Sequence, residues 1–468
     1  MKSNMHTSSI AKAGALLKQA FGEEASFREG QQEAIQSLLI RGARRLEVQK
    51  TGWGKSVVYW IVTKLLRDEG GGCTVVVSPL LSLMRNQILL AKKFGIRAET
   101  INSTNRDDWN AIISCIRKQE IDIVYISPER LSNPDFRNTV LPFLESTMGM
   151  LVIDEAHCIS DWGHDFRPDY RRILQTIERL PAHVSILATT ATANDRVIDD
   201  IKTLLGDCLV VSRGSLMRES LKLTVFSLKD QAQRLAWLAK YVPRLSGTGI
   251  IYTLTINDAK RVAEWLKQHN VNVHAYHSKL EPEKREQLEN AFLQDKVKAL
   301  VATTALGMGY DKDNVGFVVH FQFPGSIIQY YQQIGRAGRN LASAHCVLLL
   351  GEEDEEITQY FIDSAFPDAL TCHLVTLALK KGAGTVAEIA NLTNRAFTQI
   401  EKVLGLMDVE DAAVAKNGRF VLVNENWKFD RERAERITSQ RTAELDQMRE
   451  YIEHKGCRML FLAHALDD

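Results

Sequence analysis

VIDEAHCISDWGHDFRPDY, residues 152–170, opens as an apolar strand and delivers two carboxylates, Asp154 and Glu155, at the strand's end. A nucleotide enzyme needs a metal-holding acid and a water-activating acid in that position. Directly behind them a Gly-containing loop carries Trp162, His164, Phe166, Arg167 and Tyr170. Rings and a guanidinium beside a hydrolytic pair point to something flat, such as a nucleic-acid base, being sensed next to the bond that breaks.

Outward from this stretch, short β-branched runs alternate with helical patterns from about residue 46 to 350. The runs at 46–48, 75–78, 123–127, 150–154, 185–189 and 209–211 form one set. Those at 249–253, 273–276, 299–302, 317–321 and 346–350 form another. Such alternation predicts parallel sheets with helices on both faces, here an α/β fold of two lobes joined near 212–221. After the acidic run 352–356, which reads as a solvated face, three helical patterns (368–381, 385–391, 394–407) precede two short alternating runs. Asn417-Gly418 between those runs is a hairpin signal, so the segment reads as winged-helix-like. The expected division is 1–211 (lobe 1), 212–365 (lobe 2), 366–428 (winged-helix-like) and 429–468 (a charged helical tail).

The 58 basic residues are balanced by 58 acidic ones, which excludes a generic basic nucleic-acid coat and leaves only a local groove for such contact. Seven scattered cysteines without a CxxC pair read as reduced thiols. The N-terminal stretch lacks the apolar core of a signal peptide, and no apolar run approaches the roughly 18 residues of a membrane span. A cytoplasmic protein is expected, nucleoid-associated if bacterial.

Thr51-Gly52-Trp53-Gly54-Lys55-Ser56 follows a strand and opens a helix. Small residues there let backbone N–H groups wrap phosphates at a helix N-terminus. Lys55 is expected to reach the outer phosphates of ATP, and Ser56 with Asp154 to hold Mg2+. Gln49 stands where the strict spacing wants glycine. Glu155 is the expected base that orients the attacking water. Upstream, Arg28 and Gln31 of FREGQ carry groups that stack on adenine and bond its edge. Downstream, QQIGRAGR (332–339) offers Arg336 and Arg339, which can neutralise charge developing on a phosphate across a cleft.

Together these residues resemble superfamily 2 helicases, and specifically the RecQ family of DNA helicases, over about residues 21–340. The most specific match is DEAHCISDWGHDFRPDY; TGWGKS (51–56), SPLLSLMRNQ (78–87), ATTATAN (188–194), VATTALGMG (301–309) and QQIGRAGRN (332–340) support it. The resemblance implies RecA-like lobes, ATP-driven 3'-to-5' translocation and unwinding of duplex DNA, with roles in repair or recombination. It makes Arg339 an arginine finger and sets Gln332 and Arg336 on the γ-phosphate side. It also makes Trp162, His164, Phe166 and Arg167 contacts to single-stranded DNA that gate hydrolysis. The expected partners are single-stranded and duplex DNA, with no membrane, and a monomer. The motor residues alone would equally serve an RNA helicase or a translocase that does not unwind.

Three departures from the family pattern stand out. Glu24 occupies the position of a common adenine-stacking aromatic, and Trp53 that of a small residue. The winged-helix-like segment precedes, rather than follows, a helix resembling the start of the family's four-cysteine zinc subdomain. Cys457 is the single matching ligand, so zinc is not supported by the residues present. The rest of such a subdomain would lie beyond Asp468, in a longer protein.

Overall fold

A computed structural model describes the chain except residues 1, 80, 103–104, 160–172, 174–175, 229, 307–311 and 417. It forms two compact units, one of residues 1–354 with 447–468, the other of 355–446.

The first unit holds both lobes. In lobe 1 the strands are β1 (Arg44–Val48), β2 (Thr74–Val77), β3 (Ala98–Ile101), β4 (Ile123–Ile126), β5 (Met150–Asp154), β6 (Ser185–Thr190) and β7 (Val210–Arg213). They make one sheet in the order β3-β4-β2-β5-β6-β1-β7, and every pairing is parallel. Continuous apolar runs such as Thr74–Val77 are buried on both faces, as a helix-covered parallel sheet requires. Alternate residues serve opposite cores: Leu151 and Ile153 pack into one, Met150 and Val152 into the other.

Lobe 2 repeats the plan with β8 (Leu221–Ser227), β9 (Thr248–Tyr252), β10 (Val273–Tyr276), β11 (Ala299–Ala302), β12 (Val315–His320) and β13 (Ala344–Leu350), ordered β10-β11-β9-β12-β13-β8. Each sheet thus has one strand more than the sequence reading counted. β3 and β8 lie at sheet edges, and both carry polar residues at partly or fully exposed positions. Their apolar runs are correspondingly weak.

In the second unit the helices Ala369–Lys380, Val386–Thr393 and Phe397–Val409 precede an antiparallel hairpin, β14 (Ala413–Lys416) and β15 (Arg419–Leu422). They share a core built on Val375, Leu379, Ile389, Ile400, Leu404 and Met407, the arrangement expected of a winged-helix-like module. Asn417 of the expected turn lies outside the described residues; Gly418 beside it has φ 77°. Helix Arg431–Glu453 begins in this unit, while residues from Gln447, with helix Arg458–Ala465, belong to the first unit.

Candidate nucleotide site

The 51–56 loop runs from the end of β1 to the first turn of helix Lys55–Asp68. Gly52 and Gly54 have φ 85° and 94°, a left-handed backbone that L side chains rarely adopt, so the loop needs glycine at both. Trp53 is not a solvent-facing replacement for a small residue. It is 7% exposed, and its indole Nε1 donates to the carbonyl of Glu29 at 3.1 Å. Gln31 binds the same loop from below: Nε2 donates to Trp53 O at 2.9 Å, and Oε1 accepts from the Arg28 N–H at 2.9 Å. A primary amide has a second N–H and a second lone pair, so this anchoring is compatible with an adenine contact. Gln49 supplies what the missing glycine would have supplied, a backbone carbonyl that accepts from Lys55 Nζ at 2.7 Å. Its side chain is turned away, donating to Glu47 at 3.2 Å.

β5 carries Asp154 into the same space, 7% exposed. One carboxylate oxygen accepts from Thr189 Oγ1 at 2.7 Å. The other lies 3.4 Å from Gln87 Nε2, which is also 3.4 Å from Ser56 Oγ. Ser56 and Asp154 therefore converge on one amide, and their hydroxyl and carboxylate oxygens are the hard donors that Mg2+ takes. Burial, and then the charge of Glu155, pushes the Asp154 carboxyl up to about 6. Burial also pushes the Lys55 ammonium down, opposed by the charges of Glu155 and Asp154. A dication and phosphates would fit this half-balanced cluster, because they supply the charges that its two acids and one lysine lack. Glu155 itself has φ 52°, a strained conformation for a non-glycine residue and one that clusters at functional sites. Its carboxylate lies 3.4 Å from Nδ1 of the buried His157, which is 3.0 Å from Thr190 Oγ1.

The lobe-2 arginines enter from helix Ile327–Ile334 and the turn after it. A Cβ on Gly52 would lie 3.8 Å from Cγ of Arg339, so the Arg339 stem covers the phosphate loop. Arg28, Gln31, residues 51–56, Asp154, Glu155, Arg336 and Arg339 all line one cavity of about 620 Å3. That volume suits a nucleotide-sized ligand. Gln332 is not among the described residues lining it; its amide donates to Thr192 Oγ1 at 2.8 Å, a lobe-to-lobe bond. Trp162, His164, Phe166 and Arg167 lie outside the described residues, as do Gly307 and Gly309.

Sequence reasoning missed Phe21, Trp60, Gln87 and Lys93, all of which line the cavity. Phe21 ends an amphipathic helix and reads as core, yet it is 48% exposed. Glu24 is not among the lining residues; the aromatic surface comes from Phe21 and Trp60 instead. Among the described residues, no cluster of three or more His, Cys, Asp or Glu could hold a metal ion, and no helix is long and apolar enough to cross a membrane.

Residues 28–201 match the DEAD/DEAH box helicase family, and residues 233–341 match the helicase conserved C-terminal domain. The chain is 35% identical over 366 residues to the ATP-dependent DNA helicase RecQ of Bacillus subtilis, covering 76% of this chain and 59% of that one. It is 36% identical over 358 residues to the probable ATP-dependent DNA helicase RecS of the same organism, covering 75% of this chain and 70% of that one. Among solved structures, S. cerevisiae Dbp5 bound to RNA and ADP BeF3 superposes with a TM-score of 0.60 at 19% identity, over 74% of this chain and 90% of that one. That last likeness concerns the fold alone. The chain spans less than two thirds of the length of the Bacillus RecQ.

Proposed function

The chain belongs to the RecQ family of superfamily 2 helicases, and from that premise we propose that it is an ATP-dependent DNA helicase that moves 3'-to-5' on one strand and unwinds duplex DNA. What supports the reading is a single cavity lined by a phosphate loop, two acids and two arginines drawn from both lobes.

In this reading Thr51–Ser56 wraps the phosphates of ATP, with Arg28 and Gln31 at the base. Lys55 sits at the outer phosphates. Ser56 and Asp154 would hold Mg2+, which when bound would neutralise phosphate charge. Glu155 orients the attacking water and takes its proton, steadied by His157 at 3.4 Å. Arg336 and Arg339 balance charge that builds on the transferred phosphoryl group, a contribution of about 10^3 to 10^5 in rate. Gln332 acts through its bond to Thr192, linking lobe closure to the strand that ends beside Asp154. Trp162, His164, Phe166 and Arg167 contact single-stranded DNA and report it to the acids immediately before them.

The two motor lobes, meeting near 212–221, then lie in the unit of 1–354 with 447–468, and the accessory winged-helix-like module lies in that of 355–446. The protein works as a cytoplasmic monomer on single-stranded and duplex DNA.

Strand-displacement assays with 3'-tailed and 5'-tailed duplexes, in DNA and RNA versions, test the proposal. Unwinding of the 3'-tailed DNA alone is expected. Equal unwinding of RNA would make it an RNA helicase, and ATP turnover without strand separation would make it a translocase.

A further inference from the structure

Between the lobes, residues 214–220 do more than connect. Leu216, Arg218 and Ser220 all bond the segment that carries the two arginines. The Tyr331 hydroxyl donates to Leu216 O at 2.6 Å, and Ser220 Oγ donates to Gly338 O at 2.9 Å. The central contact is Arg218, 8% exposed. Its Nη2 donates to Ala337 O at 2.8 Å; its Nη1 lies 3.3 Å from Gly335 O and 3.4 Å from Thr51 Oγ1. Thr51 Oγ1 itself donates to Gly335 O at 2.8 Å.

The chemistry of the contact is specific. Gly335 and Ala337 follow helix Ile327–Ile334, where the last carbonyls have no helical partner and the helix dipole is negative. A planar guanidinium reaches two such carbonyls at once and, shielded from water, bonds them through its charge. Those two carbonyls flank Arg336 and lie just before Arg339. A Cβ at Gly335 would stand 2.8 Å from Thr51 Oγ1, so a larger residue would displace the Thr51 hydroxyl from this junction. Arg218 thus joins three chain segments at one point, namely linker, phosphate loop and arginine turn.

We propose that Arg218 is a positioning residue for hydrolysis, which sets Arg336 and Arg339 over the phosphate loop by holding the carbonyls of Gly335 and Ala337 against Thr51. The inference rests on the ATP-hydrolysing reading of the cavity. It makes the linker a sensor of the composite site, because a movement between lobes that separates Thr51 from Gly335 leaves Arg218 unable to touch both.

A double-mutant cycle on DNA-stimulated ATP hydrolysis tests this, using the full chain, Arg218→Ala, Arg339→Ala and the pair. A misplaced catalytic group costs about tenfold to a hundredfold in rate. Arg218→Ala should therefore lower kcat by at least about tenfold while KM for ATP stays within about twofold. Combined with Arg339→Ala it should cost clearly less than it costs in the parent, because only Arg336 is then left to position. Arg218→Lys, which keeps the charge but loses the fork, should recover only part of the rate. If Arg218→Ala does not fold, the same cycle with Arg218→Lys decides. Multiplying effects in the double variant, or a change in KM alone, would overturn the inference while leaving the cavity reading intact. Parent-like turnover of Arg339→Ala would overturn the arginine reading, and the inference with it.

Discussion

Lys55, Asp154 and Glu155 are each legible from a short motif, but their energetics are not. In the folded protein the lysine is desolvated and leans on two acids, one of which is itself pushed up to about 6. Replacing Lys55 with Ala removes the cation that reaches the phosphates. ATP turnover should fall at least about a hundredfold while DNA binding persists; a filter-binding assay beside a phosphate-release assay reads both, and retained turnover would remove Lys55 from the site. Trp162 belongs to the same scale. Base stacking contributes about 1 to 3 kcal/mol per ring, enough to bias the residues just before it. Trp162→Ala should bring the ratio of DNA-stimulated to DNA-free hydrolysis close to one, and a ratio equal to the parent's would reject the coupling role. Gln31 and Trp53 show the limit of reading at this scale. The motif identifies both, yet only the fold reveals that each also anchors the loop.

Elements follow from local rules wherever the apolar signal is dense. β5 spans the residues where the sequence places it and the helix after Gly54 opens at Lys55 as expected, because buried β-branched runs and a glycine-framed loop leave few alternatives. β3 and β8 escaped notice because edge strands carry polar residues on their exposed sides. In the second unit, helix Val386–Thr393 opens with a capping box, Thr385 and Glu388 each bonding the other's backbone N–H. Arg419 of β15 grips the same Glu388 through two 2.8 Å bonds, tying hairpin to helix. That guanidinium, then the N–H groups of Gly384 and Thr385, hold the carboxyl down at about 2, below its ordinary 4.5. A carboxyl depressed in the folded state stabilises above its unfolded pKa and loses that contribution as pH falls through its folded one. Glu388→Gln should therefore be less stable than the parent near pH 7. The gap in denaturant midpoint should narrow from about pH 4.5 downward. A gap that stays constant into acid would show that Glu388 acts through shape and not charge.

For the first unit as a whole, the charged C-terminal stretch is the least legible part. Its composition reads as a charged helical tail, and from Gln447 onward it belongs to the same compact unit as the lobes. Tyr451 is fully buried, its hydroxyl 3.2 Å from that of Tyr330 on the arginine-bearing helix. Asp468 accepts from the Leu216 N–H at 2.8 Å, so this stretch also touches the linker. Tyr451→Ala should cost about 3 kcal/mol, a typical loss for a buried aromatic. It should also loosen helix Ile327–Ile334, read as faster hydrogen exchange over 327–338; unchanged exchange there would confine the effect to the tail.

By itself the sequence determined the two parallel-sheet lobes and the chemical inventory of the cavity. Both depend on short-range pattern: alternating buried runs, glycines at a left-handed turn, acids at a strand end. Only the tertiary structure decided which of those groups meet. It sent Gln332 to Thr192 and not to the cavity wall, put Phe21 and Trp60 where Glu24 offered nothing, and made Arg218 the junction of loop, linker and arginine turn. The bonds of Gln332 and Arg218 join residues more than a hundred positions apart, which no local periodicity records. The stretch that opened the reading, 152–170, divides the same way: its strand and two acids stand at the site, while the task of its aromatic half falls to the Trp162 measurement.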